Sequence, residues 1–247
     1  MDCASPPHPI ESRPRLLKPS PSLAGATIAF DLDGTLVDSA PDLVGALNGV
    51  LQERGLPMLP LALARVMVGR GARALIEQGF AAAGEPLDAG ATPGLVERFI
   101  AIYRDRIALE SRPFAGVEAA LTSLTASGAK LSVCTNKRTD LSIALLDALD
   151  LTRYFAAVVG ADRAPAPKPD GRHLTAAIEA VGGASDRAVL VGDSANDVGA
   201  ARAAGVPSIV VSFGYTEIAA ADLGGDHLLD RFADLQGLAE RLFAPAA

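Results

Sequence analysis

Five short apolar runs punctuate the chain, and each stops at a small or polar residue. Residues 27–30 stop at Asp31, 131–134 at Thr135, 157–159 at Gly160, 189–191 at Gly192 and Asp193, and 209–211 at Ser212. The runs are rich in β-branched residues and apolar on both faces, the pattern of strands buried in a parallel sheet. Between them the apolar positions change to helical spacing. Residues 117–127 precede Gly128, and 140–149 carry Leu141, Leu145, Leu146 and Leu149. Residues 174–181 lead into Gly182 and Gly183, and 196–204 lead into Gly205, with Pro207 just beyond. Glycine after the last periodic residue is a common helix stop. The alternation predicts an α/β fold, a Rossmann-like doubly wound parallel sheet.

One block breaks the alternation. Between Asp31 and Leu131 the pattern offers no second strand. Residues 41–112 predict helices only, over 43–53, 72–83 and 95–109. In the last of these, Leu95, Phe99, Ile102 and Tyr103 share one stripe, with Glu97, Arg98, Arg104 and Asp105 mostly elsewhere. The expected organisation is a catalytic core of residues 23–40 and 113–247 with an inserted all-helical cap of residues 41–112. The leading segment, residues 1–22, carries Pro6, Pro7, Pro9, Pro14, Pro19 and Pro21 and predicts a disordered tail without a function.

Charge changes this picture. The chain has 247 residues and a formal net charge of −7. It has no basic run or arginine-rich arm, so it lacks the electrostatic footprint of a nucleic-acid binder. No apolar stretch reaches the roughly 20 residues of a membrane helix, and the first residues lack the apolar centre of a signal peptide. Two cysteines, Cys3 and Cys134, do not make a disulfide framework, and a reducing, cytoplasmic setting is expected. Monomer and homodimer are both open. An acidic protein that binds an anion must concentrate positive charge locally, through a lysine or a metal.

In an open parallel sheet, ligands bind beyond the carboxyl ends of the strands. There the first run delivers Asp31 and Asp33, the second Thr135 and Asn136, and the fourth Asp193, with Asp197 one helical turn on. Lys168 follows the third run in a loop stiffened by Pro165, Pro167 and Pro169. Clustered carboxylates repel, so such a set points to a hard cation, and oxygen ligands beside a phosphate point to Mg²⁺. A cation draws a phosphate dianion into an acidic pocket. A carboxylate is also able to act as a nucleophile and form an aspartyl phosphate. Asp33, two residues after Asp31, falls on the same side of an extended strand. From there it is placed to protonate a leaving oxygen and later to deprotonate the attacking water.

Asp31-Leu32-Asp33-Gly34-Thr35-Leu36-Val37-Asp38-Ser39 resembles motif one of the haloacid dehalogenase superfamily. Val133-Cys134-Thr135-Asn136-Lys137 resembles motif two, Lys168-Pro169 motif three, and Gly192-Asp193-Ser194-Ala195-Asn196-Asp197-Val198 motif four, all in the family's order. The resemblance implies roles. Asp31 is then the nucleophile and a Mg²⁺ ligand, and Asp33 the general acid/base with its backbone carbonyl on the metal. Thr135 and the backbone N–H of Asn136 hold phosphoryl oxygens. Lys168 neutralises Asp31 and the phosphoryl group. Asp193 binds Mg²⁺ directly, and Asp197 binds it directly or through water. The acid at position 33 separates the superfamily's phosphotransferases from its dehalogenases. The helical block occupies the place of the family's cap, which carries substrate specificity.

Within the superfamily the chain is most similar to the phosphoglycolate phosphatases. Val68-Gly69-Arg70-Gly71-Ala72 with Leu75, Ser39-Ala40-Pro41-Asp42-Leu43, and Phe213-Gly214-Tyr215 fit that group. One departure is Gly171, which stands where the family often has a second proline after the motif-three lysine. The function implied is Mg²⁺-dependent hydrolysis of a small phosphomonoester, 2-phosphoglycolate to glycolate and phosphate, through phospho-Asp31. The alternatives are another capped enzyme, such as a sugar phosphate phosphatase, phosphomutase or pyrophosphatase, or a non-catalytic phosphate-ligand-binding regulator on the same scaffold.

Some residues also have an ordinary structural reading. Ser194 and Asp197 fit a helix capping pair, which is compatible with a metal role. Asp38 and Asp42 read as structural, with Ser39 and Asp42 starting the first cap helix. Arg70 is either a surface arginine or a partner for a substrate carboxylate when the cap closes. His8, His173 and His227 lack metal-ligand spacing and read as incidental. Cys134 reads as an inert core thiol. Gly69 and Gly71 follow no strand and do not make a dinucleotide site.

Overall fold

A computed structural model describes residues 23–87, 90 and 92–244 of the protein. The proline-rich leading segment lies outside them. The chain opens with β1 (Thr27–Phe30) and β2 (Val37–Asp38), then passes through the helices α1 (Ala40–Glu53), α2 (Leu61–Ala64), α3 (Ala72–Ala82) and α4 (Thr92–Asp105). It returns through β3 (Arg112–Pro113), α5 (Val117–Ala126), β4 (Lys130–Thr135), α6 (Thr139–Ala148), β5 (Ala157–Gly160) and α7 (Gly171–Glu179). It ends with β6 (Ala188–Gly192), α8 (Ala195–Ala204), β7 (Ser208–Val211), β8 (His227–Leu229) and α9 (Leu235–Leu242).

The main sheet has six strands in the order β5-β4-β1-β6-β7-β8, and all its neighbours pair in parallel. Period-two alternation divides each strand between two covered faces. Ile28, Phe30, Leu131, Val133, Val189 and Val191 meet α5, α6 and α9 on one side. Ala29, Cys134 and Leu190 meet α7 and α8 on the other. Helices on both faces explain why the strands read as continuous apolar runs. The doubly wound parallel sheet expected from the sequence is therefore present.

Helices α1 to α4 pack around an apolar cluster of their own, centred on Leu47, Leu51, Ile76, Phe80, Phe99 and Tyr103. Leu141 and Tyr215, from the sheet-bearing part, join its edge. Among the described residues, no helix is long and apolar enough to cross a membrane.

Three features depart from the expected pattern. The stretch between Asp31 and Leu131, read as having no strand, contains β2 and β3, a two-residue antiparallel ribbon extended by a 3.0 Å bond from Phe114 N–H to Leu36 O. Two residues are too few to show a period. Helix α4 ends at Asp105 rather than 109 because buried Asp42 accepts the N–H groups of Glu110 (2.9 Å) and Ser111 (2.8 Å) and turns the chain toward β3. A sixth strand, β8, was not expected. It is a three-residue edge strand with one exposed leucine, Leu228, so it lacks the apolar run that marks the others.

Gly171 has a packing reason. A Cβ there would lie 2.7 Å from backbone atoms of Ala203 and Ala204. A proline would push α7 off α8, which follows the strand carrying Asp193.

Candidate active site

Asp31 leaves β1 at the level where its N–H donates to Val191 O at 2.9 Å, so β6 sets its height. Leu32 N–H donates to Asp31 Oδ1 at 2.7 Å, and Lys168 Nζ lies 3.0 Å from the same oxygen. The Lys168 ammonium also donates to Asp197 Oδ1 at 2.6 Å, with its side chain 1% exposed. Asp193 Oδ1 accepts from Thr35 Oγ1 (3.1 Å) and Oδ2 from Tyr215 N–H (2.7 Å). Asp197 takes the capping role expected of it. Its Oδ2 accepts from Ser194 N–H (2.9 Å) and Ser194 Oγ (2.6 Å) at the start of α8, while Oδ1 faces Lys168.

The acids at these strand ends therefore converge. Asp31, Asp193 and Asp197 are buried, and each offers an oxygen within 4.8 Å of the others. Two of the three, Asp31 and Asp197, share the Lys168 ammonium. Burial, opposed by Lys168 and reinforced by the Asp197 charge, pushes Asp31 up to about 6. Burial and the charges of Asp197 and Asp31 push Asp193 well above the usual carboxylate range. Burial works against the charged form of Lys168, but Asp197 and Asp31 outweigh it and raise its pKa. A surplus of negative charge removed from water needs a counter-charge. The all-oxygen donor set fits a hard divalent cation such as Mg²⁺.

Asp33 stands apart from this group. Its carboxylate accepts from Ser39 Oγ at 2.5 Å and from the buried ammonium of Lys137, which reaches Oδ1 at 2.9 Å and Oδ2 at 3.0 Å. Burial opposes the charge on Lys137, yet Asp33 and Tyr103 raise its pKa, so it is cationic at neutral pH. Sequence reasoning gave Lys137 no role, although it lies inside the quoted second motif. Thr35, Ser39, Tyr103 and Tyr215 were likewise not expected as site residues.

The turn after Asp33 passes close to Asp193 and depends on Gly34. Its φ is +84°, and a Cβ would fall 2.3 Å from Asp193 Oδ2. Gly34→Ala is expected to displace Asp193 and lower activity about 10²-fold, as ångström-scale misplacement does. The left-handed backbone adds about 1–2 kcal/mol of destabilisation. Urea unfolding beside phosphate release measures both; an active variant of unchanged stability would remove Gly34 from this role.

Thr135 and Asn136 reach the same place from β4. The Asn136 side chain clamps the loop that carries Lys168: its Oδ1 accepts from Lys168 N–H (2.9 Å) and its Nδ2 donates to Lys168 O (3.1 Å). His173, read from sequence as incidental, buttresses that loop. Its Nδ1 accepts from Lys168 N–H at 3.2 Å, so Nε2 carries the proton and donates to Val159 O at 3.1 Å. Burial lowers its pKa and keeps it neutral. Burial also pushes the Cys134 thiol up to about 12, consistent with an inert core cysteine. Arg70 is exposed and lines a groove with Ser194, Asn196 and Tyr215.

A cavity opens beside Asp31, Asp33, Thr135 and Asn136. The sheet-bearing part adds Lys137 and Leu141, and the helical block adds Leu43, Leu75, Phe99 and Tyr103. It offers about 60 Å³ to the centres of water molecules. At about 10–15 Å³ per water by the same measure, that is space for roughly four to six waters.

Comparisons with known proteins agree with this geometry. The haloacid dehalogenase-like hydrolase family matches residues 28–211. A Caulobacter vibrioides protein named phosphoglycolate phosphatase is 62% identical over 213 residues, covering 86% of this chain and 90% of the relative. One of the same name from Agrobacterium fabrum is 45% identical over 219 residues, covering 88% and 94%. The crystal structure of a predicted phosphoglycolate phosphatase from Haemophilus somnus superposes with a TM-score of 0.80 at 30% identity, covering 86% of this chain and 97% of that one. The chain belongs to the haloacid dehalogenase-like hydrolase family, within a group of relatives named as phosphatases.

Proposed function

We propose that the protein hydrolyses 2-phosphoglycolate to glycolate and phosphate through a phosphorylated Asp31. The observation that carries this reading is the buried Asp31–Asp193–Asp197 group with Lys168 inside it, opening on a small cavity. An ionised Asp31 attacks phosphorus, and Asp33 gives a proton to the departing oxygen. Lys168 holds charge beside the attacking carboxylate, while Thr135 and the Asn136 N–H orient phosphoryl oxygens. Asp33 then takes a proton from the water that hydrolyses phospho-Asp31. Mg²⁺, held by Asp31, Asp193, Asp197 and the Asp33 carbonyl, would supply positive charge where the transferring phosphoryl group spreads its own.

Residues 41–112 act in this reading as a cap that closes over the substrate and excludes water. The names of the relatives support a short ester over a hexose phosphate. The test is Mg²⁺-dependent phosphate release from 2-phosphoglycolate beside glucose phosphates and pyrophosphate. A preference of several orders of magnitude in kcat/KM for 2-phosphoglycolate is expected. A flat profile, or a preference for another ester, overturns the substrate but leaves the chemistry on Asp31.

The metal assignment has its own check. Asp193→Ala is expected to move the Mg²⁺ titration of activity at least about 10-fold higher, the lower range for loss of metal-orienting groups. An unchanged titration removes Asp193 from the metal site.

A further inference from the structure

Tyr103 sits on the apolar stripe of α4, yet its ring ends in the cavity between the helical block and the sheet. The residue is fully buried, and apart from the neighbouring Lys137 ammonium its hydroxyl has no hydrogen-bond partner. A buried hydroxyl without a partner is destabilising, so native structures rarely keep one without a reason. Lys137 Nζ lies 4.5 Å from the centre of the ring, over its face. An ammonium has three N–H donors. Those of Lys137 reach the two oxygens of Asp33, at 2.9 and 3.0 Å, and the third faces the phenol. Burial, partly offset by Lys137, pushes the phenol up to about 12, so it keeps its proton. The lining that the helical block gives the cavity is otherwise largely apolar, with Leu43, Leu75 and Phe99.

We propose that the Tyr103 hydroxyl and the third N–H of Lys137 form a subsite for a carboxylate at the end of the substrate opposite its phosphoryl group. This rests on the reading of the site as that of a small phosphomonoester hydrolase. One donor comes from the helical block and the other from the turn after β4. A carboxylate held between them ties the two parts together, and an ester lacking it leaves the phenol unpaired. Apolar walls discriminate poorly between small groups, whereas buried donors built for one ligand reject analogues that cannot accept from them. The same Lys137 pairs with Asp33, so carboxylate recognition and the proton-transfer residue share one ammonium.

Tyr103→Phe is the test, because it removes the hydroxyl and nothing that packs. Wild type and variant are compared on 2-phosphoglycolate and on ethyl phosphate, which lacks the carboxylate. The wild type is expected to prefer 2-phosphoglycolate. The variant is expected to lose about 10- to 100-fold of that preference, read as the ratio of kcat/KM for the two esters, mainly through KM on 2-phosphoglycolate. Its thermal midpoint is expected to be equal or higher, since an unpaired buried hydroxyl is gone. An equal loss on both esters, an unchanged preference or a lower midpoint overturns the subsite and leaves the functional reading standing. A wild type that hydrolyses both esters alike overturns the functional reading, and the subsite with it.

Discussion

Asp31→Asn is expected to lower phosphate release by at least about 10⁴-fold, the scale seen when a nucleophile is removed from an intact site. The amide keeps the shape of the carboxylate and can still accept from Leu32 N–H, so the fold is expected to survive. What it loses is the charge and the attacking oxygen. A second readout separates chemistry from folding. Asp31 is pushed up from 3.8 to about 6 in the folded protein, so the folded state binds this proton more tightly than the unfolded chain does. Wild-type stability therefore falls as pH rises from about 4 to about 6, and the lost part stays lost above that. Asparagine does not titrate. In chelator, the variant is expected to gain stability relative to wild type across that same window. Denaturant titrations of both proteins at several pH values measure the gap. Appreciable turnover by the variant would move the nucleophile elsewhere, and a gap independent of pH would mean that Asp31 does not carry the shifted proton.

Lys168→Met is expected to remove about 3–5 kcal/mol of stability at pH 8 in chelator, because it strips the cation from a buried charge group. For a chain of this size that is a drop of about 6–20 °C in Tm. The ammonium stands 3.0 Å from Asp31 and 2.6 Å from Asp197, and methionine fills its volume without its charge. Two conditions are expected to narrow the deficit. Lowering the pH toward 4 protonates Asp31 and Asp193, whose pKa values are raised, and takes away the repulsion that Lys168 balances. Adding Mg²⁺ supplies another counter-charge and stabilises the state that binds it. Turnover is expected to stay low under both, since no ammonium remains beside the attacking carboxylate. A variant as stable as wild type at pH 8 in chelator would show that the three acids are not held as a charged cluster.

The strand-end acids were legible because their signal is local. Asp31, Asp33 and Asp193 directly follow apolar runs, and any parallel strand delivers its last side chains to one edge of the sheet. Lys168 was legible from its proline-stiffened loop and from the resemblance to motif three. Tyr103 was not legible as a site residue, because one hydroxyl on an apolar stripe leaves the helical period unchanged. His173 lacked any spacing signal, and its buttressing of the Lys168 loop depends on where α7 meets β5. Arg70 attracted interest through its glycine neighbours. The fold leaves it exposed in a groove with Ser194, which its sequence position does not reveal.

By itself the sequence determined the α/β alternation, the helical block after the first strand, and which acids stand at the carboxyl edge of the sheet. All of these follow from short-range periodicity and from chain direction. Only the tertiary structure decided the strand order, the clamp of Asn136 on the Lys168 loop, the pairing of Lys137 with Asp33, and the seat of Tyr103 over Lys137. Those partners lie far apart along the chain, 104 residues in the case of Lys137 and Asp33. A side chain's spacing from its neighbours sets which face it occupies, but its partner across the cavity is set by how the helical block packs on the sheet.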